Sequence, residues 1–242
     1  MDATQTTAAL EASGIKAGYG RSTVLRDIWL TVPEGSVVAL LGANGAGKTT
    51  LLRALAGTIP IRAGSIRVRS TEVSTKAPHQ RARAGICLIP EGRGVFKTLT
   101  VRENLRLAAP TWRSPGSGYY VDDAVDIFPE LKTRLDVTAG RLSGGQQQMI
   151  AVVRAFLSEA SVIMLDEVSM GLAPLVVDRM FEALRRLALS GRSLLLVEQY
   201  VARAIDLADR VYVMSRGSIT FEGSAEDLDE PQLVRHYLGG DT

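Results

Sequence analysis

The stretch GANGAGKTT, Gly42 to Thr50, constrains this 242-residue chain more than any other. It follows an apolar run, SVVALL, and precedes TLLRALAG, which is rich in helix-forming residues. Together they fit G-x-x-x-x-G-K-[ST] in the strand–loop–helix setting of a phosphate-binding loop. Each part has a physical task. Gly42, Ala43, Asn44, Gly45, Ala46 and Gly47 form a turn of mostly small residues, so backbone N–H groups can converge on phosphate oxygens. The helix that opens at Lys48, Thr49 and Thr50 adds partial positive charge. The Lys48 ammonium can reach β- and γ-phosphates, and the Thr49 hydroxyl can ligate Mg²⁺. A glycine-rich turn ahead of an ordinary helix would not need Lys48-Thr49.

A strand–loop–helix unit implies a parallel α/β sheet with right-handed crossovers. The runs ICLIP, SVIMLDE, SLLLVE and RVYVMSRG read as its core strands. Shorter β-rich pieces, IKAGYG, TVLRDIWLTV, SVVALLG and GSIRVR, precede or follow the loop. Met149, Val152, Val153 and Phe156 recur at helical spacing. So do Val176, Val177, Met180, Phe181, Leu184 and Leu187. The Pro-, Gly- and Ser-rich stretch PTWRSPGSGYY, 110–120, marks a loop within a helical insertion from about 97 to 158. Ser224 is placed to cap a last helix, with Asp227 three residues on. The first ten or so residues read as a frayed leader.

Composition excludes several classes. A formal charge of +2 is too small to argue for nucleic acid or an anionic membrane surface. The single cysteine, Cys87, allows no internal disulfide and fits a reducing compartment; in GICLIP it reads as a small core residue. No apolar run approaches the length that crosses a bilayer. The start lacks a secretory pattern. The chain reads as soluble, and a membrane association has to come through a partner.

A phosphate-binding loop needs an acid on a neighbouring strand. SVIMLDE provides one: four apolar residues, then Asp166 and Glu167. Asp166 would hold the magnesium shell and Glu167 would polarise an attacking water. About twenty residues before Asp166 stands LSGGQQQ, Leu142 to Gln148. The order phosphate-binding loop, LSGGQ, apolar strand plus Asp-Glu resembles the ATP-binding-cassette (ABC) ATPases over nearly the whole chain. The resemblance implies one domain, 1–242, with a RecA-like α/β core, an antiparallel β subdomain and an inserted helical subdomain. It implies ATP and Mg²⁺. It also implies two cassettes paired head to tail, so that Ser143, Gly144, Gly145 and Gln146 bind the γ-phosphate of a nucleotide held by the partner cassette. Tyr19 matches the family's adenine-stacking aromatic. PEGRGVFKTLTVRENL, 90–105, matches the loop that links the nucleotide site to membrane subunits.

The chain departs from the common pattern in four places. Gln199 stands where most members have a histidine that touches the γ-phosphate. Glu91 stands where glutamine is usual, near the metal and the attacking water. Ala173 replaces an aspartate of the dimer interface, and Val168 a proline. Gln199 reads as a neutral γ-phosphate contact that cannot carry a proton at neutral pH; the alternative is that it caps the next helix. PEGRGVF, GLAPLVV, VEQ and HYLGG together resemble the LivF-type ATPase subunits of branched-chain amino acid uptake transporters. That resemblance implies a second, different cassette, two transmembrane permease subunits and an extracytoplasmic binding protein. It places the chain on the cytoplasmic face of the inner (plasma) membrane as a peripheral subunit. Importers of urea, amides or other amino acids use similar ATPases. A soluble iron–sulfur assembly ATPase is the rival of another class, but VEQ and PEGRGVF are not expected there. A lipopolysaccharide export motor would be expected to carry Gln and His at 91 and 199.

Overall fold

Two sheets and a helical layer organise the chain. The computed structural model describes residues 7–92, 94–108 and 121–226, with the backbone alone at 122 and 123. The stretch 110–120, Asp227 and the closing HYLGG lie outside the described residues. An antiparallel sheet, order β2-β1-β4-β5, is built from β1 (Ala8–Ala17), β2 (Leu25–Pro33), β4 (Ile61–Val68) and β5 (Thr71–Glu72). The larger sheet has the order β10-β9-β3-β8-β7-β6, from β3 (Val37–Leu41), β6 (Ile86–Ile89), β7 (Val162–Asp166), β8 (Ser193–Val197), β9 (Arg210–Ser215) and β10 (Ser218–Ser224). Strands β9, β3, β8, β7 and β6 are parallel neighbours, and β10 pairs antiparallel at the edge.

Apolar runs make these strands because both faces of the parallel sheet are covered. Val37, Ala39 and Leu41 pack into one core with Ile163, Leu165, Leu194 and Leu196. Val38 and Leu40 pack into the other with Val162, Met164, Leu195 and Val197. The first core is closed by α6 (Gly144–Leu157) and α7 (Pro174–Leu189), through Val152, Val153, Phe156, Met180 and Leu184. The second is closed by β1, β2 and α1 (Lys48–Ala56). Among the described residues there are also short α-helices, α2 (Pro78–Arg83), α3 (Val101–Arg106), α4 (Val121–Ala124), α5 (Pro129–Lys132) and α8 (Val201–Leu207), and two 3-10 turns. Between β6 and β7 the named elements are helical, within the span expected for an insertion.

Two expectations change. The leader is not frayed from residue 8 onward: Ala8 pairs with Pro33, Ala12 pairs with Leu30, and Leu10 is fully buried. Small alanines masked the alternation there. Ser224 ends β10 and its hydroxyl accepts from the Glu226 N–H at 3.2 Å, as a cap does; the helix expected after it, with Asp227, lies outside the described residues. Gln199 does not cap α8: the cap position is Tyr200, and the Gln199 side chain is engaged elsewhere.

Candidate ATPase site

The parallel order sets the site. Going across the sheet, β3 ends at the Gly42 turn, β8 ends before Glu198 and Gln199, β7 ends at Asp166, and β6 ends before Glu91. Register aligns Asp166 with Val197, so Glu167 and Gln199 emerge together. The carboxyl ends of parallel strands are where open α/β sheets bind ligands. A cleft of about 430 Å³ lies there, lined by Asn44, Gly45, Gly47, Lys48, Thr49, Thr50, Glu91, Glu167 and Gln199, with Val24 and Met170 beside them.

The loop geometry suits an anion. Gly42 has φ +147°, and a Cβ there would sit 2.2 Å from the Met214 carbonyl oxygen. Gly47, at φ +112°, is the N-cap of α1 and gives it no side-chain cap. The open first turn therefore faces the cleft. Lys48 is buried, and its Nζ donates to Gly42 O at 2.7 Å and Ala43 O at 3.1 Å. Burial pulls its ammonium below the ordinary value, against the carboxylates of Glu167 and Asp166.

Thr49 Oγ1 donates to Asp166 Oδ1 at 3.1 Å. Burial pushes the Asp166 carboxyl up to about 6, the Thr49 bond opposes this, and Glu167 and Glu91 add to it. Among the described residues no group of three His, Cys, Asp or Glu stands ready to hold a metal. Thr49 and Asp166 offer two hard oxygen donors, which fits Mg²⁺ completed by phosphate and water better than an all-protein cage. Glu167 has φ +49°, rare for a non-glycine residue. Gln199 Nε2 donates to Glu167 Oε2 at 3.1 Å and also lies 3.2 Å from Met170 Sδ.

Residues 25–170, more than half of the chain, match the family model described as ABC transporter. The chain belongs to the ABC transporter family. It is 40% identical to the high-affinity branched-chain amino acid transport ATP-binding protein BraG of Pseudomonas aeruginosa, over 92% of this chain and 96% of that protein. It is 36% identical to the probable branched-chain amino acid transport ATP-binding protein LivF of Archaeoglobus fulgidus, over 93% and 96%. A solved ATP-binding subunit of an ABC transporter superposes with TM-score 0.81 at 28% identity, covering 96% of this chain and 93% of that one. The chain is thus an ABC ATPase that binds and hydrolyses ATP.

Other family positions lie apart from the cleft. Ser143, Gly144, Gly145 and Gln146 do not line it. Ser143 is the N-cap of α6, accepting from the Gln146 N–H at 3.3 Å while Gln146 Oε1 accepts from the Ser143 N–H at 3.2 Å. A Cβ on Gly145 would press on Val176 at 3.2 Å. Tyr19 is exposed beside α1; a hydrogen bond to Thr50, then Arg53, pulls its phenol below the ordinary value. Val168 is buried, and exposed Ala173 leaves α7 without a side-chain cap. Cys87 is partly buried and packed against the core, as expected, and burial pushes its thiol up.

Sequence reasoning missed three features. Met170 lines the cleft. Buried Asn104 holds the loop before α3 through Phe96 N at 2.8 Å, Phe96 O at 3.0 Å and Thr100 O at 2.9 Å. Ser169 and Glu198 form a buried pair, and Glu198 lines a second hollow that adjoins the cleft at Asn44, Lys48 and Gln199. The apolar lead-in SLLLV hid Glu198, because an acid after a strand reads as the start of a loop.

Proposed function

We propose that this chain is the ATP-hydrolysing motor of an importer for branched-chain amino acids, working beside a second cassette, two transmembrane permease subunits and an extracytoplasmic binding protein. The observation that carries the substrate is its 40% identity over 92% of the chain to BraG. No described helix is long and apolar enough to cross a membrane, so this reading gives the chain a peripheral place on the cytoplasmic face.

In this reading the Gly42–Thr50 loop and Lys48 hold the phosphates of ATP. Thr49 and Asp166 hold Mg²⁺, with Glu91 nearby, and the ion supplies charge neutralisation on the phosphates. Glu167 polarises the attacking water. Gln199 fixes one Glu167 oxygen by its 3.1 Å bond, which leaves the other to accept from water. As a neutral amide, Gln199 also donates to the γ-phosphate without taking a proton. Tyr19 stacks on adenine. Ser143, Gly144, Gly145 and Gln146 serve the nucleotide of the partner cassette, which accounts for their distance from this chain's own cleft.

The test is a pull-down of the tagged chain from solubilised membranes of its own host, with partners identified by mass spectrometry. Recovery of a different cassette and two polytopic proteins, with a co-purifying binding protein that takes leucine, isoleucine or valine, is expected. Recovery of soluble assembly factors alone would overturn the transport reading.

A further inference from the structure

Glu198 is 1% exposed, yet it is an acid. Its carboxyl is held by Ser169 and the Gln199 backbone beside the Glu167 carboxylate, and among the described residues no cation forms an ion pair with it, although Lys48 lines the same hollow. One carboxylate oxygen accepts the Ser169 N–H at 3.1 Å. The other accepts the Ser169 hydroxyl in a short contact. The Gln199 N–H hydrogen-bonds to the same group. Ser169 itself is fully buried. Burying a carboxylate without a counter-ion opposes folding, so the pair needs a reason beyond stability.

Its position gives one. Ser169 lies two residues after Glu167, within the turn closed by Met170 N–H to Glu167 O at 3.2 Å. Glu167 N–H donates to Val197 O at 2.8 Å, beside Glu198. Glu167 holds its φ of +49° inside this frame, a conformation that persists only where the surroundings over-determine it. Gln199 then donates to the Glu167 carboxylate. Two strand ends are thereby joined three times: backbone to backbone, Glu198 to Ser169, and Gln199 to Glu167.

We infer that Glu198 is a positioning residue for ATP hydrolysis: its carboxylate locks Ser169 and so holds Glu167 and Gln199 in one geometry. The inference rests on the reading of Glu167 as the carboxylate that polarises water. Small misplacements of a reacting group cost up to about 100-fold in rate.

The test uses the full chain, with single-turnover MgATP hydrolysis and equilibrium nucleotide binding measured on each variant. Glu198→Ala should slow hydrolysis by about 10- to 100-fold with the nucleotide Kd nearly unchanged. Glu198→Gln should recover most of that loss, because an amide can accept from the Ser169 N–H and donate to its hydroxyl oxygen. Adding Ser169→Ala to Glu198→Ala should cost little more, since the two act as one unit. In a Glu167→Gln background, Glu198→Ala should have no further effect. A wild-type rate for Glu198→Ala, a parallel loss of binding, or a full additional loss in the Glu167→Gln background would overturn the inference. If Glu198→Ala does not fold, Ser169→Ala carries the test: slowed hydrolysis with unchanged Kd is expected, and a wild-type rate overturns it. A wild-type rate for Glu167→Gln alone would instead remove the role given to Glu167, whatever Glu198→Ala does.

Discussion

Substituting Glu198 by glutamine should stabilise the protein by an amount that grows with pH. The carboxyl is almost fully buried, and that burial pushes it from the ordinary 4.5 up to about 7, opposed by the bonds from Ser169 and Gln199 and reinforced by the Glu167 charge. Because the folded value is raised, the contribution of Glu198 to stability is fully present below about pH 4.5. It is lost as pH rises through about 7. The gap between the two values corresponds to roughly 3 kcal/mol at neutral to alkaline pH. Glutamine carries no charge at any of these pH values, so the variant escapes the loss while keeping a similar shape. Urea unfolding of both proteins at intervals between about pH 5 and pH 8 reads the difference directly. Taking the difference cancels the titrating groups that do not interact with Glu198. The stability gap should widen with pH and level off above about pH 7. A gap that is flat with pH, or that widens toward acid, would refute the reasoning about this buried carboxylate.

Lys48→Ala should weaken nucleotide binding by about tenfold or more, through the loss of a charge-assisted contact, as read by titration of a fluorescent nucleotide. Gly42→Ala should destabilise the fold by about 3 kcal/mol, because its Cβ would meet the Met214 carbonyl oxygen at 2.2 Å on a left-handed backbone; thermal unfolding measures this. Ser143→Arg should spare nucleotide binding in this chain's own cleft but lower hydrolysis at the site shared with the partner cassette. Equal loss of both would contradict the head-to-tail arrangement.

Much of the fold is legible in the residues. The four apolar runs become parallel strands; β7, β8 and β9 are buried on both faces, and β6, at the sheet edge, is partly buried at Cys87 and Leu88. The order of motifs predicts which strand ends carry chemistry, and Lys48, Thr49, Glu91, Glu167 and Gln199 line one cleft. Asp166 joins them through Thr49. What stayed hidden depends on contacts distant in sequence. The early part of β1 is alanine-rich, and only pairing with β2 and β4 makes it a strand. The polar edge strand β10 takes its place from β9. Asn104 looks like an ordinary polar residue of a helix until the loop folds around it. Glu198 and Ser169 lie 29 positions apart and meet only because β7 and β8 are neighbours in register. The Gln199 cap alternative failed for the same reason: Glu167 on the adjacent strand end takes its amide.

The most direct test of the central claim is single-turnover hydrolysis of MgATP by Glu167→Gln, with nucleotide binding measured on the same sample. The variant should bind ATP as the wild type does and hydrolyse it at least about 100-fold more slowly, leaving intact nucleotide trapped on the protein. Hydrolysis at the wild-type rate would mean that the cleft at these strand ends does not use Glu167 to activate water.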